Sequence, residues 1–278
     1  MIHGLRMKIL NALTYLVIAV LIIGVNLPFL SMASTALKER GEALSSLKFF
    51  PEKPQFDNFA YVLGKTTFGR NIMNSAFIAL SVTLLCICIT VMAGYALSRF
   101  KSRFFSSYGI MLLVLQLFPG VLMLIPLFII FSSMGLIDTH LALIIAYTTF
   151  NLPFSIWMIR GFMSTIPFDI EQAAMIDGSS QFGAFVKIII PISTPGISTV
   201  GIFTFINAWG EYTLASILLR DDTLRPLTVG LQKFVLQFTS DWPALMAAST
   251  IATVPTLFFL VFAQKYLVKG LSSGAVKG

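Results

Sequence analysis

Long uncharged runs of mostly apolar residues alternate with short charged segments along the chain. No Asp, Glu, Lys or Arg occurs between Lys8 and Lys38, or between Arg70 and Arg99. A helix that crosses the hydrocarbon core of a bilayer needs about 20 mostly apolar residues, and these runs are long enough. The pattern predicts six membrane-spanning helices, at about residues 10–30, 74–97, 107–132, 141–159, 196–214 and 244–266.

Two longer polar segments connect predicted spans. We expect residues 31–70 to form an outer loop and residues 160–195 to form a cytoplasmic loop. The first span has a second interpretation as a secretory signal, because Ser31-Met32-Ala33 resembles a cleavage site. Its apolar stretch is longer than the roughly 7–15 residues of a signal sequence, which favours a retained span.

Prolines predict where the spans bend. Pro119 and Pro126 fall inside the third predicted span, and Pro153 interrupts the fourth. A proline lacks the backbone N–H and its ring clashes with the carbonyl four residues earlier. The third span is therefore predicted to kink at both of its prolines.

The composition indicates the same fold class. Of 278 residues, 56% are hydrophobic and 11% are charged, whereas soluble domains carry about 25% charged residues. The mean hydropathy is +0.87. The chain is therefore predicted to be an all-α integral membrane protein with a single transmembrane domain over residues 1–278. The net charge of +7 is scattered along the chain, and without a dense basic cluster we expect no nucleic-acid partner.

The basic residues also suggest an orientation. Arg99, Lys101 and Arg103 crowd one short connection, whereas residues 135–140 contain no Lys or Arg. Short loops rich in Lys and Arg stay on the cytoplasmic side. Both chain termini are therefore predicted to be cytoplasmic.

The sequence offers no cluster for catalysis or metal binding. Cys86 and Cys88 lie two residues apart and do not face each other on a helix, and His3 and His140 are far apart. We therefore predict no catalytic residue, no metal and no enzymatic activity. Two other function classes have different sequence requirements. A self-contained secondary transporter or channel for a small polar solute would show internal repeats or several buried charges, and a membrane-embedded enzyme would need a catalytic cluster.

The predicted cytoplasmic loop is longer than the 2–8 residues of an ordinary helix–helix connection. We expect Asp169 to cap a short helix and Gly178 to end it in a left-handed conformation. Ser179 or Ser180 then begins a second short helix. From the residues alone, the segment fits an amphipathic elbow on the membrane surface or a docking segment for another protein.

The same segment resembles the EAA loop of ATP-binding-cassette (ABC) importer permeases. The matching positions are Gln172-Ala173-Ala174, Gly178, Ile188 and Ile190-Pro191. Gln172 stands where the motif usually has glutamate, and Ile190 stands where it has leucine. Glu171 matches an acidic residue often found just before the motif. Residues 94–99, 207–212 and 270–278 are similar to the carbohydrate-uptake branch, and most of all to the smaller permease of maltose-type importers.

The resemblance implies a permease subunit of a sugar importer in a prokaryotic inner membrane, forming half of the translocation pathway. The implied partners are a second permease in a heterodimer, two cytoplasmic ATPase subunits that bind ATP and Mg²⁺, and an extracytoplasmic sugar-binding protein. This chain itself would bind no cofactor. The residues expected to couple to the ATPase are Glu171, Gln172, Ala173, Ala174, Asp177 and Gly178.

Polar residues inside the fifth predicted span are candidates for the sugar path. Thr204, Asn207 and Glu211 are spaced i, i+3 and i+7 along one stripe of a helix. An acid within a span is a functional candidate by default. Glu211 has a second interpretation, in which it reaches water or pairs with a Lys or Arg of a neighbouring helix. Trp209 fits either stacking on a sugar or an interfacial aromatic belt.

Two amides in other spans complete the candidates. Gln116 and Asn151 are predicted to line the path. Asn151 also has a structural interpretation, because it lies two residues before Pro153 and its amide can bond backbone groups that the proline frees.

Overall fold

The structure is a computed structural model that describes residues 2–46, 48–100, 102–235 and 241–275. Its α-helices are α1 (Ile2–Ala36), α2 (Arg40–Ser45), α3 (Asp57–Gly64), α4 (Phe68–Arg99), α5 (Arg103–Leu115), α6 (Leu124–Ser133), α7 (His140–Ser164), α8 (Asp169–Ile176), α9 (Gln181–Ala184), α10 (Ile190–Ile192), α11 (Thr194–Gly210), α12 (Thr213–Leu218), α13 (Leu227–Gly230) and α14 (Trp242–Ala275). Gly120–Met123 and Leu231–Phe234 form 3₁₀ turns, and Phe185–Ile189 forms a π-helical turn. The predicted all-α fold class is confirmed.

Four helical stretches in the described part of the chain are long and apolar enough to cross a membrane: Leu10–Ala36, Phe68–Arg99, His140–Ser164 and Trp242–Phe262. Two further spans are broken. Ser107–Leu115 and Gly120–Ser133 meet at 92°, and Gln181–Ile192 and Thr194–Gly210 meet at 71°. By length and composition, the described residues therefore contain four candidate spans, or six if each bent pair crosses once.

The break in the third predicted span lies at Pro119, as predicted. Pro119 has an extended backbone and precedes the 3₁₀ turn that begins at Gly120. The second predicted kink, at Pro126, is wrong, because this residue lies in the first turn of α6. A first-turn residue has no intrahelical N–H bond to lose. The predicted interruption at Pro153 is also wrong, since α7 continues through this residue to Ser164.

The chain divides into two compact units, Met1–Gly69 with Leu231–Thr253 and Arg70–Gly230 with Val254–Gly278. In the first unit, the predicted outer loop is folded. The side chain of Lys38 is buried and its Nζ donates to the carbonyl of Lys48 at 2.5 Å. The Asn58 amide donates to the carbonyls of Ala36 and Lys38 at 2.8 and 2.9 Å. These bonds satisfy backbone groups left after α1 ends.

In the second unit, α7 packs against both α5 and α11. Glycine allows two close approaches. A Cβ at Gly94 of α4 would lie 2.1 Å from Ile159 Cγ2, and one at Gly196 of α11 would lie 2.8 Å from Phe162 Cγ. Such distances leave no room for a side chain. The core cluster around these contacts includes buried Tyr95 and Met163.

The segment between α12 and α13 is tied to the starts of α4 and α7. The Asn74 amide donates to the carbonyl of Thr223 at 2.9 Å, and His140 Nε2 lies 2.9 Å from the carbonyl of Leu224. In the same segment, the backbone N–H and the hydroxyl of Thr223 lower the pKa of Asp221, because both hydrogen bonds favour the carboxylate.

Candidate functional site

In the segment between α7 and α11, a glycine separates α8 from a second helical stretch, which consists of α9, the π-helical turn and α10. A short helix on each side of the glycine is as predicted. Gly178 has φ of +90°, which a glycine adopts without steric cost. Ser180 caps α9, since its Oγ accepts the Gly183 N–H at 3.0 Å. The predicted cap by Asp169 is wrong. Phe168 occupies that position with helical backbone angles and no side-chain bond, because the backbone after Pro167 is already turning.

Glu171 of α8 is the buried centre of this segment, with a side chain only 1% exposed. The Tyr95 hydroxyl donates to its Oε2 at 2.8 Å, and Arg99 Nε donates to its Oε1 in an ion pair. Arg99 also donates to the carbonyl of Met163 at 3.2 Å and lies over the ring of Phe168. The network joins α8 to the ends of α4 and α7.

The sequence did not predict this network. From the sequence, Arg99 is expected only to orient the chain, and Glu171 is expected only to be one of the coupling residues. The two are 72 residues apart, and nothing local pairs them. One feature of the sequence could have indicated the pair. Arg99 ends a long uncharged run, and Glu171 lies in the first turn of a short helix with several apolar residues. Unpaired charges are seldom buried, so each needed a partner.

The remaining predicted coupling residues divide between two faces of the segment. Gln172, Ala173, Asp177 and Gly178 are exposed, whereas Ala174 is buried within this chain. Beside them, Ile176 is 85% exposed, a large apolar side chain without cover in the described part of the chain. The exposed face of α8 therefore has a small side chain at Ala173 and a large apolar one at its C-terminal residue, Ile176.

Two adjoining cavities lie elsewhere in the second unit. The first, of about 430 Å³, is lined by Tyr147, Asn151, Asn207 and Glu211 among others. The second, of about 700 Å³, shares Asn151 and Asn207 and also reaches Gln116. The structure thus brings four of the six predicted path residues together.

The other two predicted path residues are in neither lining. Thr204 is fully buried in α11. Trp209 is also buried, and its ring stacks on that of Phe205 with centroids 5.6 Å apart. In this structure, Trp209 therefore packs inside the protein and contacts neither cavity.

Glu211 follows the last residue of α11 and organises the turn into α12. The Tyr147 hydroxyl donates to its Oε2 at 2.5 Å. The N–H groups of Leu214 and Ala215 donate to the carboxylate at 2.8 and 3.3 Å, and its carbonyl accepts the Thr228 hydroxyl. No Lys or Arg pairs with Glu211 among the described residues, so hydroxyl and backbone donors hold this carboxylate.

The two cavity asparagines form a chain of hydrogen bonds. Asn207 Nδ2 donates to Asn151 Oδ1 at 3.1 Å, and Asn151 Nδ2 donates to the carbonyl of Tyr147 at 2.8 Å. Pro153 frees the carbonyl of Thr149, four residues earlier. Asn151 therefore does not satisfy the group that the proline leaves open, and its amide oxygen faces Asn207.

Residues 87–273 match the family of binding-protein-dependent transport system inner membrane components. The chain belongs to this family. The match spans both the α8 segment and the cavity helices, and it makes the chain a multi-pass membrane permease component rather than a catalytic subunit. The resemblance to ABC-importer permeases is confirmed.

Alignments with named relatives cover nearly the whole chain. The sulfoquinovosyl glycerol transport system permease protein SmoH of Agrobacterium fabrum is 34% identical, over 96% of this chain and 94% of its own. The trehalose/maltose transport system permease protein MalG of Thermococcus litoralis is 32% identical, over 99% and 100%. The diacetylchitobiose uptake system permease protein DasC of Streptomyces coelicolor is 30% identical, over 93% and 94%.

A solved structure shares the fold. A chain from a bacterial ABC transporter involved in the import of the acidic polysaccharide alginate superposes with a TM-score of 0.82. The superposition covers 93% of this chain and 96% of that one, at 21% sequence identity. At this identity the likeness concerns the fold alone.

Proposed function

We propose that this chain forms half of the translocation path of an ATP-driven sugar importer and docks one ATPase subunit on α8. The position of α8 carries the proposal. Its Glu171 is buried and paired with Arg99 of α4, whereas Gln172 and Ala173 face outward. A partner bound to the outward face therefore pushes on a helix that is fixed to the ends of two spans.

The sugar in this proposal is supported by the relatives and by the cavities. The three relatives named above are permeases for saccharides. In this chain, the α7 and α11 amides Asn151 and Asn207 line both cavities. Amides donate and accept hydrogen bonds, as the hydroxyl groups of a sugar do. Movement of α7 relative to α11 would change the shape of these cavities.

The proposed assembly contains a second permease, two cytoplasmic ATPase subunits and an extracytoplasmic sugar-binding protein. Only the ATPase subunits would bind ATP and Mg²⁺, and this chain would need no cofactor. The family description, which ties transport to a binding protein, supports the external partner. Both termini and α8 would then lie in the cytoplasm.

ATPase docking is tested by enlarging the exposed face of α8. Ala173→Trp places a large side chain on the proposed contact, and overpacking a close contact costs about 1–3 kcal/mol. Ala60→Trp, on the exposed surface of α3, is the matched control. We expect Ala173→Trp alone to lose the ATPase in a pull-down and to lose ATP-driven uptake in vesicles. Equal retention of the ATPase by both variants would remove the docking site from α8.

A self-contained secondary transporter or channel is the rival function. Vesicles that contain the two permeases without the ATPase distinguish the two. The proposal expects no sugar uptake from these vesicles under any ion gradient, and uptake that depends on ATP once the ATPase is restored. Gradient-driven uptake by the permeases alone would establish the rival.

The proposed orientation is tested with single cysteines in a background that lacks Cys86 and Cys88. Cysteines at Ser45 and Asp222 should react with an impermeant thiol reagent on intact cells. One at Ser180 should react only after the membrane is permeabilised. Labelling of position 180 on intact cells would reverse the topology.

A further inference from the structure

The two adjoining cavities have the size of a ligand site and a mixed lining. Their volumes are about 430 and 700 Å³, within the range of roughly 300–1,000 Å³ for small-molecule pockets. They share Phe150, Asn151 and Asn207. Such pockets are mostly apolar and aromatic, with a few polar groups that orient the ligand, and this lining fits that description.

Charge in the linings points to an electrically neutral ligand. Glu211 is the one charged side chain that lines either cavity in the described part of the chain, and neither lining contains Lys or Arg. A carboxylate or sulfonate taken from water requires a cationic or strongly donating partner. The Tyr147 hydroxyl and the two backbone N–H groups beside the smaller cavity already bind Glu211, and the side-chain donors that remain are neutral. An acidic sugar would meet a second anion and no cation.

Aromatic rings form one wall of the larger cavity. Phe203 of α11 lies against Phe154 of α7, with ring centroids 4.4 Å apart and a tilt of 38°. Phe150 and Phe203 both remain substantially exposed. The C–H face of a pyranose ring is apolar and packs on such rings, so the wall fits a saccharide and not only a small ion.

The amides supply the polar side of the same cavity. Asn207 is exposed and gives one N–H to Asn151, whereas an amide group offers two donors and an acceptor. An anionic group is instead bound by the planar donor fork of an Arg or by the point charge of a Lys. Hydroxyl groups of an uncharged sugar can donate to Asn207 Oδ1 and accept from its second N–H.

We propose that this chain itself holds a subsite for an uncharged saccharide, with Asn207 and Phe203 as its polar and stacking contacts. The inference rests on the proposed importer function and specifies its substrate class. It separates this chain from transporters of sulfonated or uronate sugars, although one relative is named for a sulfonated sugar.

The test uses the complete transporter in proteoliposomes with ATP inside. Trehalose, maltose and N,N′-diacetylchitobiose are the uncharged probes, and sulfoquinovosyl glycerol and alginate oligosaccharides are the acidic ones. We expect ATP-driven uptake of at least one uncharged probe, and no inhibition of it by a hundredfold excess of an acidic probe. Preferential uptake of an acidic probe would overturn the inference while leaving the importer function intact.

Variants of the lining residues test whether the substrate binds in this cavity. Asn207→Ala and Phe203→Leu should each raise the KM for the uncharged sugar at least tenfold with the ATPase still bound. Phe258→Leu, at an exposed ring of α14 that lines neither cavity, should leave the KM unchanged. An unchanged KM in both cavity variants would overturn the subsite. Absence of ATP-driven uptake of every probe would overturn the proposed function, and the inference would fall with it.

Discussion

Two tyrosine–glutamate pairs in the second unit differ in what completes them. At α8, Tyr95 binds Glu171, and Arg99 supplies a buried opposite charge. At the cavity, Tyr147 binds Glu211, and only backbone N–H groups of α12 complete the shell. The same two residue types thus form a buried contact between helices in one place and part of the wall of an open cavity in the other.

The difference follows from burial. Glu171 is enclosed, and burying a charge is costly unless an opposite charge and several hydrogen bonds compensate. Glu211 is half-buried beside a cavity, where a hydroxyl and two backbone N–H groups bind it. The α8 pair therefore holds α8 against the end of α4, where the proposed coupling would act. The cavity pair holds the shape of a turn and leaves neighbouring amides available. The predictions below test this contrast, beginning with the largest expected effect.

Removing the cation at α8 should have the largest effect. Arg99→Ala leaves Glu171 buried without its partner, and breaking a buried ion pair costs about 3–5 kcal/mol. We expect a large fall in the thermal stability of the purified permease pair and loss of ATP-driven uptake. Arg103→Ala, at an exposed arginine in the next helix, should have little effect.

A second substitution tests the mechanism of that loss. In the Arg99→Ala background, Glu171→Ala removes the unpaired acid and should recover part of the stability, as a double-mutant cycle would detect. Uptake should not recover, because α8 is then no longer fixed to α4. A double variant less stable than Arg99→Ala would show that burial of the acid is not the cause.

Glycine substitutions compare packing in the two regions. A Cβ at Gly94 would lie 2.1 Å from Ile159 Cγ2, whereas one at Gly120, beside the cavity, would meet only Phe150 Cε1 at 4.0 Å. Overpacking costs about 1–3 kcal/mol, so Gly94→Ala should lower the melting temperature and Gly120→Ala should not. Equal melting temperatures would mean that α4 and α7 separate easily and would weaken the proposed coupling through α8.

Local sequence patterns predicted the spans and the glycine bend, because these depend on neighbouring residues. Uncharged runs are sufficient to recognise spans, and Gly178 ends a helix whatever lies around it. The partners of Glu171 and Glu211 could not be predicted in this way. Tyr95 lies 76 residues from Glu171, and Tyr147 lies 64 residues from Glu211. Both tyrosines are in apolar helices, where the sequence pattern does not distinguish a hydrogen-bonding tyrosine from any other aromatic residue. The i, i+3, i+7 spacing in α11 correctly predicts Asn207 and Glu211 as neighbours of the cavities, but it also includes Thr204, which is buried in the core.

Removing one tyrosine hydroxyl from each region compares how much each hydroxyl contributes to stability. Tyr147→Phe takes a 2.5 Å bond from Glu211, and a hydrogen bond to a charged group contributes about 1.5–3 kcal/mol. Tyr95→Phe takes the equivalent bond from Glu171, which keeps its ion pair with Arg99. We therefore expect Tyr147→Phe to destabilise the permease more and to raise the KM for sugar, as measured by melting and vesicle uptake. A larger effect from Tyr95→Phe would contradict the view that Arg99 dominates at α8.

The smallest expected effects come from two helix caps, one in each region. Ser180 caps the short helix α9, and Thr139 caps α7 by accepting the Ala142 N–H at 3.2 Å. Loss of such a cap costs about 1 kcal/mol, so Ser180→Ala and Thr139→Ala should lower the melting temperature by similar small amounts.

Their effects on coupling should differ. Fraying of α9 loosens the segment that follows α8, whereas α7 has 25 residues and a frayed first turn leaves its distant end in place. Hydrogen exchange at Gly183 and a titration of ATPase retention measure the two consequences. Equal ATPase retention by both variants, with faster exchange at Gly183, would mean that α8 alone carries the docking surface and that α9 is only a connection.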